Sequence, residues 1–218
     1  MQQHRHRARN IVVHHGQVGF AAVEVAQRCR DGICPCRILQ GLLEGAIPAP
    51  FDNVEETVAA AVVALGDAVP SGVSLGYHLC YGDMGLHHFI EPRDMAVLVG
   101  LANRISAGLT RSLDWMHMPV PRDRDDPAYF EPLGRLRLAE TTELFLGLVH
   151  ESDGLEGARR RMTSAGRFRS GFGVGTECGF GRRDPGGIPA LLQLHREVAT
   201  SAERRVRVSL PSGEQAER

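Results

Sequence analysis

Three side chains stand out for chemistry: His78 and Cys80, one residue apart in GYHLCYGD, and the distant Cys178 in GTECGFGRR. Two thiolates and an imidazole form a soft to borderline donor set that suits Zn2+. Three protein ligands leave one metal position open, the arrangement of a catalytic zinc rather than a structural one. An isolated His-x-Cys more often marks buried filler residues. The later Cys178, at the equivalent point of another repeating unit, weighs against that reading.

A second group of residues could move protons or hold a substrate. His150, followed by Glu151, is the candidate proton donor to a leaving group, since a histidine can change charge near neutral pH. His88, beside His87 in the segment after Cys80, is a candidate substrate contact. Arg182 is the candidate for an acidic group on the substrate, because a guanidinium fork matches a carboxylate or sulfonate. Arg122, Arg124 and Arg183 have neighbouring aspartates (Asp123, Asp125, Asp126 and Asp184) to pair with. Cys34-Pro-Cys36, with Cys29, lacks matching histidines and is read as incidental.

These residues need elements to position them. Apolar runs Val73–Leu79, Leu113–Met118, Glu143–His150 and Gly171–Cys178 read as strands. Each is followed by a helical pattern: Pro92–Ala107, a shorter stretch near Tyr129–Arg137, Leu155–Arg167 and Ile188–Ser201. In the first of these, Met95, Leu98, Val99, Ala102 and Ile105 make one apolar face at three- and four-residue steps. Four alternations of strand and helix predict parallel βα units. His78, His117, His150 and Cys178 end successive strands at spacings of 39, 33 and 28 residues, close to the size of such a unit. Chemically able residues at every strand's C-terminal end predict an α/β fold of the (β/α)8 TIM-barrel type. Val54–Ala68 reads as a preceding helix, with Asp52 or Asn53 as N-cap. The segment from Cys80 to His88 reads as a loop.

The expected organisation is an irregular N-terminal segment over 1–50, βα units over 51–208 and a disordered tail over 209–218. Four units occupy roughly 130 residues, while a full barrel needs about 250, so a partial barrel with only its C-terminal half complete is expected. An open side would expose strand edges and apolar surface, which a homo-oligomer could cover.

Composition narrows the function classes. The chain has 218 residues and a formal net charge of −1, so neither nucleic acid nor a membrane surface is an expected partner. All 25 basic side chains are arginine, which excludes Schiff-base chemistry through lysine. No apolar run approaches the roughly 18 residues of a membrane span, and MQQHRHRARN is not followed by the apolar stretch of a signal peptide. Five cysteines, an odd number without framework spacing, predict reduced thiols and a cytoplasmic chain.

GYHLCYGD and GTECGFGRR, in this order, resemble the catalytic half of the cobalamin-independent methionine synthases and their relatives, which include epoxyalkane:coenzyme M transferases. The resemblance runs from about Val73 to Thr200. It implies a barrel in which zinc, held by His78, Cys80 and Cys178, activates a small-molecule thiol for attack on an alkyl donor. The synthases take a further glutamate ligand from an intervening strand. Here that strand reads LDWMHM and contains none, so His117 or Asp114 is expected instead. HMPVPRDRDDPAYFEPL resembles the methionine-synthase-like branch better than the synthase proper, whose additional N-terminal barrel has no counterpart in this sequence. Zinc-dependent alkyl or methyl transfer to a thiol is therefore expected, rather than methionine synthesis itself. The alternatives are a catalytically idle metal-binding partial barrel and a zinc-dependent hydrolase. The hydrolase ranks lower, because two thiolate ligands make zinc less acidic.

Overall fold

Alternation along the strands gives the sheet two unlike faces. Strand side chains point to opposite sides in turn. In Trp115–Pro119, Met116 and Met118 are fully buried, while Trp115 and His117 are half-buried. The neighbouring strands repeat the pattern, with Tyr77, Leu144, Leu146, Leu148 and Val174 buried in the core. The Tyr77 phenol donates to the Val62 carbonyl at 2.9 Å, which puts the covering helices on this side.

A computed structural model of the chain describes residues 52–81, 83–84, 87–88, 90–177 and 183–208, with a few isolated positions between 42 and 48. Its elements are α1 (Val54–Asp67), β1 (Gly76–His78), β2 (Asp83–Met84), β3 (His87–His88), α2 (Ala96–Gly108), β4 (Trp115–Pro119) and α3 (Pro127–Phe130). A 3-10 turn (Glu131–Arg135) continues α3, followed by β5 (Glu143–Val149), α4 (Gly154–Ala165), β6 (Phe172–Thr176), a second 3-10 turn (Pro185–Gly187) and α5 (Ile188–Val208). The main sheet has four strands in the order β1-β4-β5-β6, every pair parallel. Parallel neighbours need crossover connections, and each crossover here contains helix. The fold is α/β, and its sequential parallel sheet is compatible with part of a (β/α) barrel. No helix among the described residues is long and apolar enough to cross a membrane.

The helices follow their sequence patterns with three corrections. Helix α2 buries Leu98, Val99, Ala102 and Ile105 as their spacing predicts, with Leu101 in addition. It begins later than expected, at Ala96, whose N–H is taken by the Asp94 carboxylate at 2.7 Å. The helix expected near Tyr129–Arg137 is instead two short pieces, because Pro132 supplies no N–H to continue an α-helical ladder. Asp126 caps the first piece by accepting from the Tyr129 N–H at 3.0 Å. Asn53 does stand at the N-cap of α1, but in the left-handed region (φ 57°) and without a side-chain bond. The segment read as a loop after Cys80 contains an antiparallel hairpin, pairing Asp83 with His88 and Met84 with His87. Residues 1–41 and 209–218, including Cys29, Cys34 and Cys36, lie outside the described residues.

Candidate functional site on the C-terminal edge of the sheet

Parallel strands in sequential order bring all their C-terminal ends to one edge. On that edge His78 lies directly opposite His117 in the β1–β4 register. Their rings stack with centroids 4.8 Å apart, and their Nδ1 atoms approach to 2.7 Å. The Nε2 atom of His117 lies 3.0 Å from the Thr176 carbonyl. A carbonyl oxygen only accepts, so His117 Nε2–H donates. The neutral ring then accepts at Nδ1, which requires His78 to donate from its own Nδ1. In a neutral His78 the lone pair then lies on Nε2. Burial, then the adjacent His78, holds the His117 pKa well below the usual histidine value, with the Thr176 bond opposing. Cys80, two residues beyond His78, is a buried thiol, 5% exposed.

The bond from His117 to Thr176 passes over β5, and Gly147 makes that passage possible. A Cβ on Gly147 would lie 2.7 Å from the Glu177 Cα and 2.8 Å from the Thr176 carbonyl oxygen. The β5–β6 register shifts between Leu146 and Val149. The end of β6 therefore comes down onto β5 where a side chain is missing. That approach carries the Thr176 carbonyl to His117 and the Glu177 side chain to a second group of residues.

Glu177 links two histidines from different elements. Its Oε1 accepts from His88 Nε2, while His88 Nδ1 reaches Glu91 Oε2 at 3.0 Å. Both ring nitrogens of His88 thus face carboxylates, an arrangement for the imidazolium form. Burial opposes that charge, but the bond to Glu177 and its charge, followed by Glu91, raise the His88 pKa to about 9. The other carboxylate oxygen of Glu177 lies 3.9 Å from His150 Nδ1. His150 Nε2 donates to the Val120 carbonyl at 2.8 Å, so Nδ1 is the position open to proton exchange. Burial, then the nearby Arg161 charge, lowers the His150 pKa to about 4.

Buried polar residues hold this group in place. The Arg161 guanidinium, fully buried, bonds the Leu148 carbonyl at 3.0 Å, the Arg122 carbonyl at 2.6 Å and both Asp153 oxygens at 2.6 and 2.8 Å. It ties the end of β5, the segment after β4 and the start of α4 around His150. The hydroxyls of Tyr81 and Tyr129 meet at 2.8 Å. The Tyr81 ring lies edge-on to His88, and Arg124 stacks 4.6 Å above the centre of Tyr129. Burial raises the pKa of both phenols.

Four of the residues singled out in the sequence, His78, Cys80, His150 and His88, lie at or beyond the C-terminal ends of these strands. His117, expected to end its strand, is instead the middle residue of β4, because Met118 and Pro119 continue the pairing with Leu146 and Gly147. Cys178 and Arg182 lie outside the described residues. His117 has both ring nitrogens engaged, one by His78 and one by Thr176. Asp114 precedes β4 at the opposite edge, where its carboxylate accepts the Leu75 N–H at 2.7 Å. Arg122 pairs with Asp123, Arg124 with Asp126 and Arg183 with Glu151. Among the described residues no group of three His, Cys, Asp or Glu side chains could hold a metal ion. Sequence reasoning missed Glu177, Gly147 and Arg161. Glu177 was readable as the acidic neighbour of Cys178 at a strand end; Gly147 and Arg161 carried no local signal. Comparison with family models, with curated proteins and with solved structures finds no match.

Proposed function

We propose that the chain catalyses zinc-dependent alkyl transfer to a small-molecule thiol, on a fold that is part of a (β/α)8 barrel of the methionine-synthase-like kind. The observation that carries this reading is the pairing of His78 with His117 through their Nδ1 atoms, which leaves His78 Nε2 outside that bond. His117 and the Thr176 carbonyl would orient a neutral His78 ring so that Nε2 presents its lone pair, as an outer hydrogen-bond partner does for a metal-ligating imidazole. With the thiols of Cys80 and Cys178 as its companions, the donor chemistry fits Zn2+. His78, Cys80 and Cys178 would hold the ion, and His117 would orient His78 rather than bind the metal itself. Bound zinc would keep a substrate thiol in its nucleophilic thiolate form at neutral pH. His150 would move a proton at Nδ1, and Arg182 would meet an acidic group on the thiol substrate.

The test is metal content and thiol binding. Cys80→Ser and Cys178→Ser are each expected to lose most bound zinc, while Cys34→Ser and Cys36→Ser retain it. In the cobalt-substituted protein, 2-mercaptoethanol should alter the ligand-to-metal charge-transfer bands. Equal metal loss in the Cys34 variant would move the site to the N-terminal region, and unchanged cobalt bands would sink the thiol reading.

A further inference from the structure

Glu177 is the point on this edge where separate elements converge. One of its oxygens takes the Nε2–H of His88, from the hairpin after β1, and the other faces Nδ1 of His150, at the end of β5. We infer that Glu177 is a positioning residue for proton transfer: its carboxylate holds the proton that His150 carries at Nδ1, with the His88 imidazolium as resident counter-charge. This rests on the alkyl-transfer reading, and names how that site handles its proton.

The geometry restricts the proton to one atom. His150 Nε2 is committed to the Val120 carbonyl, so uptake and release take place at Nδ1, on the Glu177 side. A proton arriving there creates an imidazolium that burial and the Arg161 charge oppose and that the Glu177 carboxylate, 3.9 Å away, favours. The other charges around His150 do not perform this task. Asp153 is engaged by the Arg161 guanidinium, Arg183 by Glu151, and Asp123 by Arg122. Around His88 stand Glu177, Glu91 and the edge of the Tyr81 ring. Because His88 already balances Glu177, the carboxylate is a weaker partner for His150 than a lone one would be. His150 can therefore release what it receives.

For a thiol and an alkyl donor the balance closes without any further reactant. The thiol S–H bond breaks and an N–H bond forms at His150 Nδ1. As the new S–C bond forms and the bond to the leaving atom breaks, His150 returns the proton to that atom. The thiol's proton ends on the leaving group, and Glu177 and His88 finish as they began.

The experiment uses the full chain. Imidazole 15N NMR should show the His88 midpoint falling by at least two pH units in Glu177→Gln. In the same variant the His150 midpoint should fall further below its wild-type value. With 2-mercaptoethanol and propylene oxide as probes, Glu177→Gln should lower kcat about 100-fold while KM for the thiol changes less than about threefold, within the usual worth of a positioned proton carrier. Glu177→Asp should restore part of the rate and the wild-type shape of the pH profile. An unmoved His88 or His150 midpoint in Glu177→Gln overturns the inference whether or not the chain turns over. A wild-type protein without turnover, but with both midpoints shifted by the substitution, overturns the alkyl-transfer reading and leaves the double pairing of Glu177 standing.

Discussion

His78 and His117 meet with no carboxylate between them, whereas His88 and His150 share one. The first pair is organised by a backbone carbonyl: Thr176 fixes His117, and His117 fixes His78. No carboxylate takes part in that chain of bonds. The second group is organised by Glu177, and one histidine is driven towards the cation while the other stays neutral. The result is a charged and a neutral histidine facing one carboxylate. Two histidine groups thus differ in their electrostatics because one has a carboxylate at its centre and the other a carbonyl.

Both groups depend on one missing side chain, and removing that dependence is the largest expected perturbation. Gly147→Ala would push a methyl group into the backbone at Glu177 and Thr176, which cannot yield as a side chain could. The expected cost is about 3 kcal/mol, at the upper end for overpacking, measured by urea unfolding. Both the His117–Thr176 and His88–Glu177 contacts should weaken together. A cost below about 0.5 kcal/mol, within the usual range for a surface change, would show that the end of β6 is not held against β5.

How much of this was legible from the sequence depends on the range of the interaction. Strands β4 and β5 announce themselves by alternation or by a continuous apolar run, and α2 by the three- and four-residue steps from Met95 to Ile105. Those signals are local, and they sufficed to put His78, Cys80 and His150 at the C-terminal ends of their strands, while His117 falls in the middle of β4. The hairpin of β2 and β3 has two residues per strand, too few for any period to show. The His88–Glu177 bond spans 89 residues and exists because β6 approaches β5 at Gly147. No local pattern encodes that approach. The roles first expected for the histidines also change: His117, expected as a further metal ligand, has both ring nitrogens engaged, and His88, expected as a substrate contact, belongs to a charge pair.

A smaller effect separates the two groups by their metal response. His117→Phe removes the partner that fixes the His78 tautomer while keeping an aromatic ring in the stack. Zinc affinity should fall about 10- to 100-fold, the usual effect of losing an outer-shell partner. Glu177→Gln should leave zinc affinity within about twofold of the wild type. Competition with a chelator of known affinity measures both. Equal losses would mean that the two groups act as one unit, and the distinction between ligand orientation and proton handling would fall.

A further effect is a dome in stability against pH, with its two limbs set by different histidines. His88 has its pKa raised from 6.5 to about 9 in the folded chain. Its contribution is fully present below the unfolded value and is lost as pH rises through about 9, because only the folded state then gives up a stabilising proton. His150 has the opposite shift, from 6.5 to about 4. Below pH 6.5 the unfolded chain takes up a proton that the folded chain refuses until about pH 4, so stability is lost as pH falls through that window. The acid limb is shared with His117 and His195, whose pKa values are also lowered by burial. The alkaline limb between 6.5 and 9 belongs to His88 alone among the described histidines with a shifted value. His88→Gln should therefore flatten the alkaline limb and leave the acid limb in place, read from urea midpoints across pH 4 to 9. A variant that retains the full alkaline loss would show that His88 is not the cation paired with Glu177, and the contrast between the two histidine groups would lose its charged half.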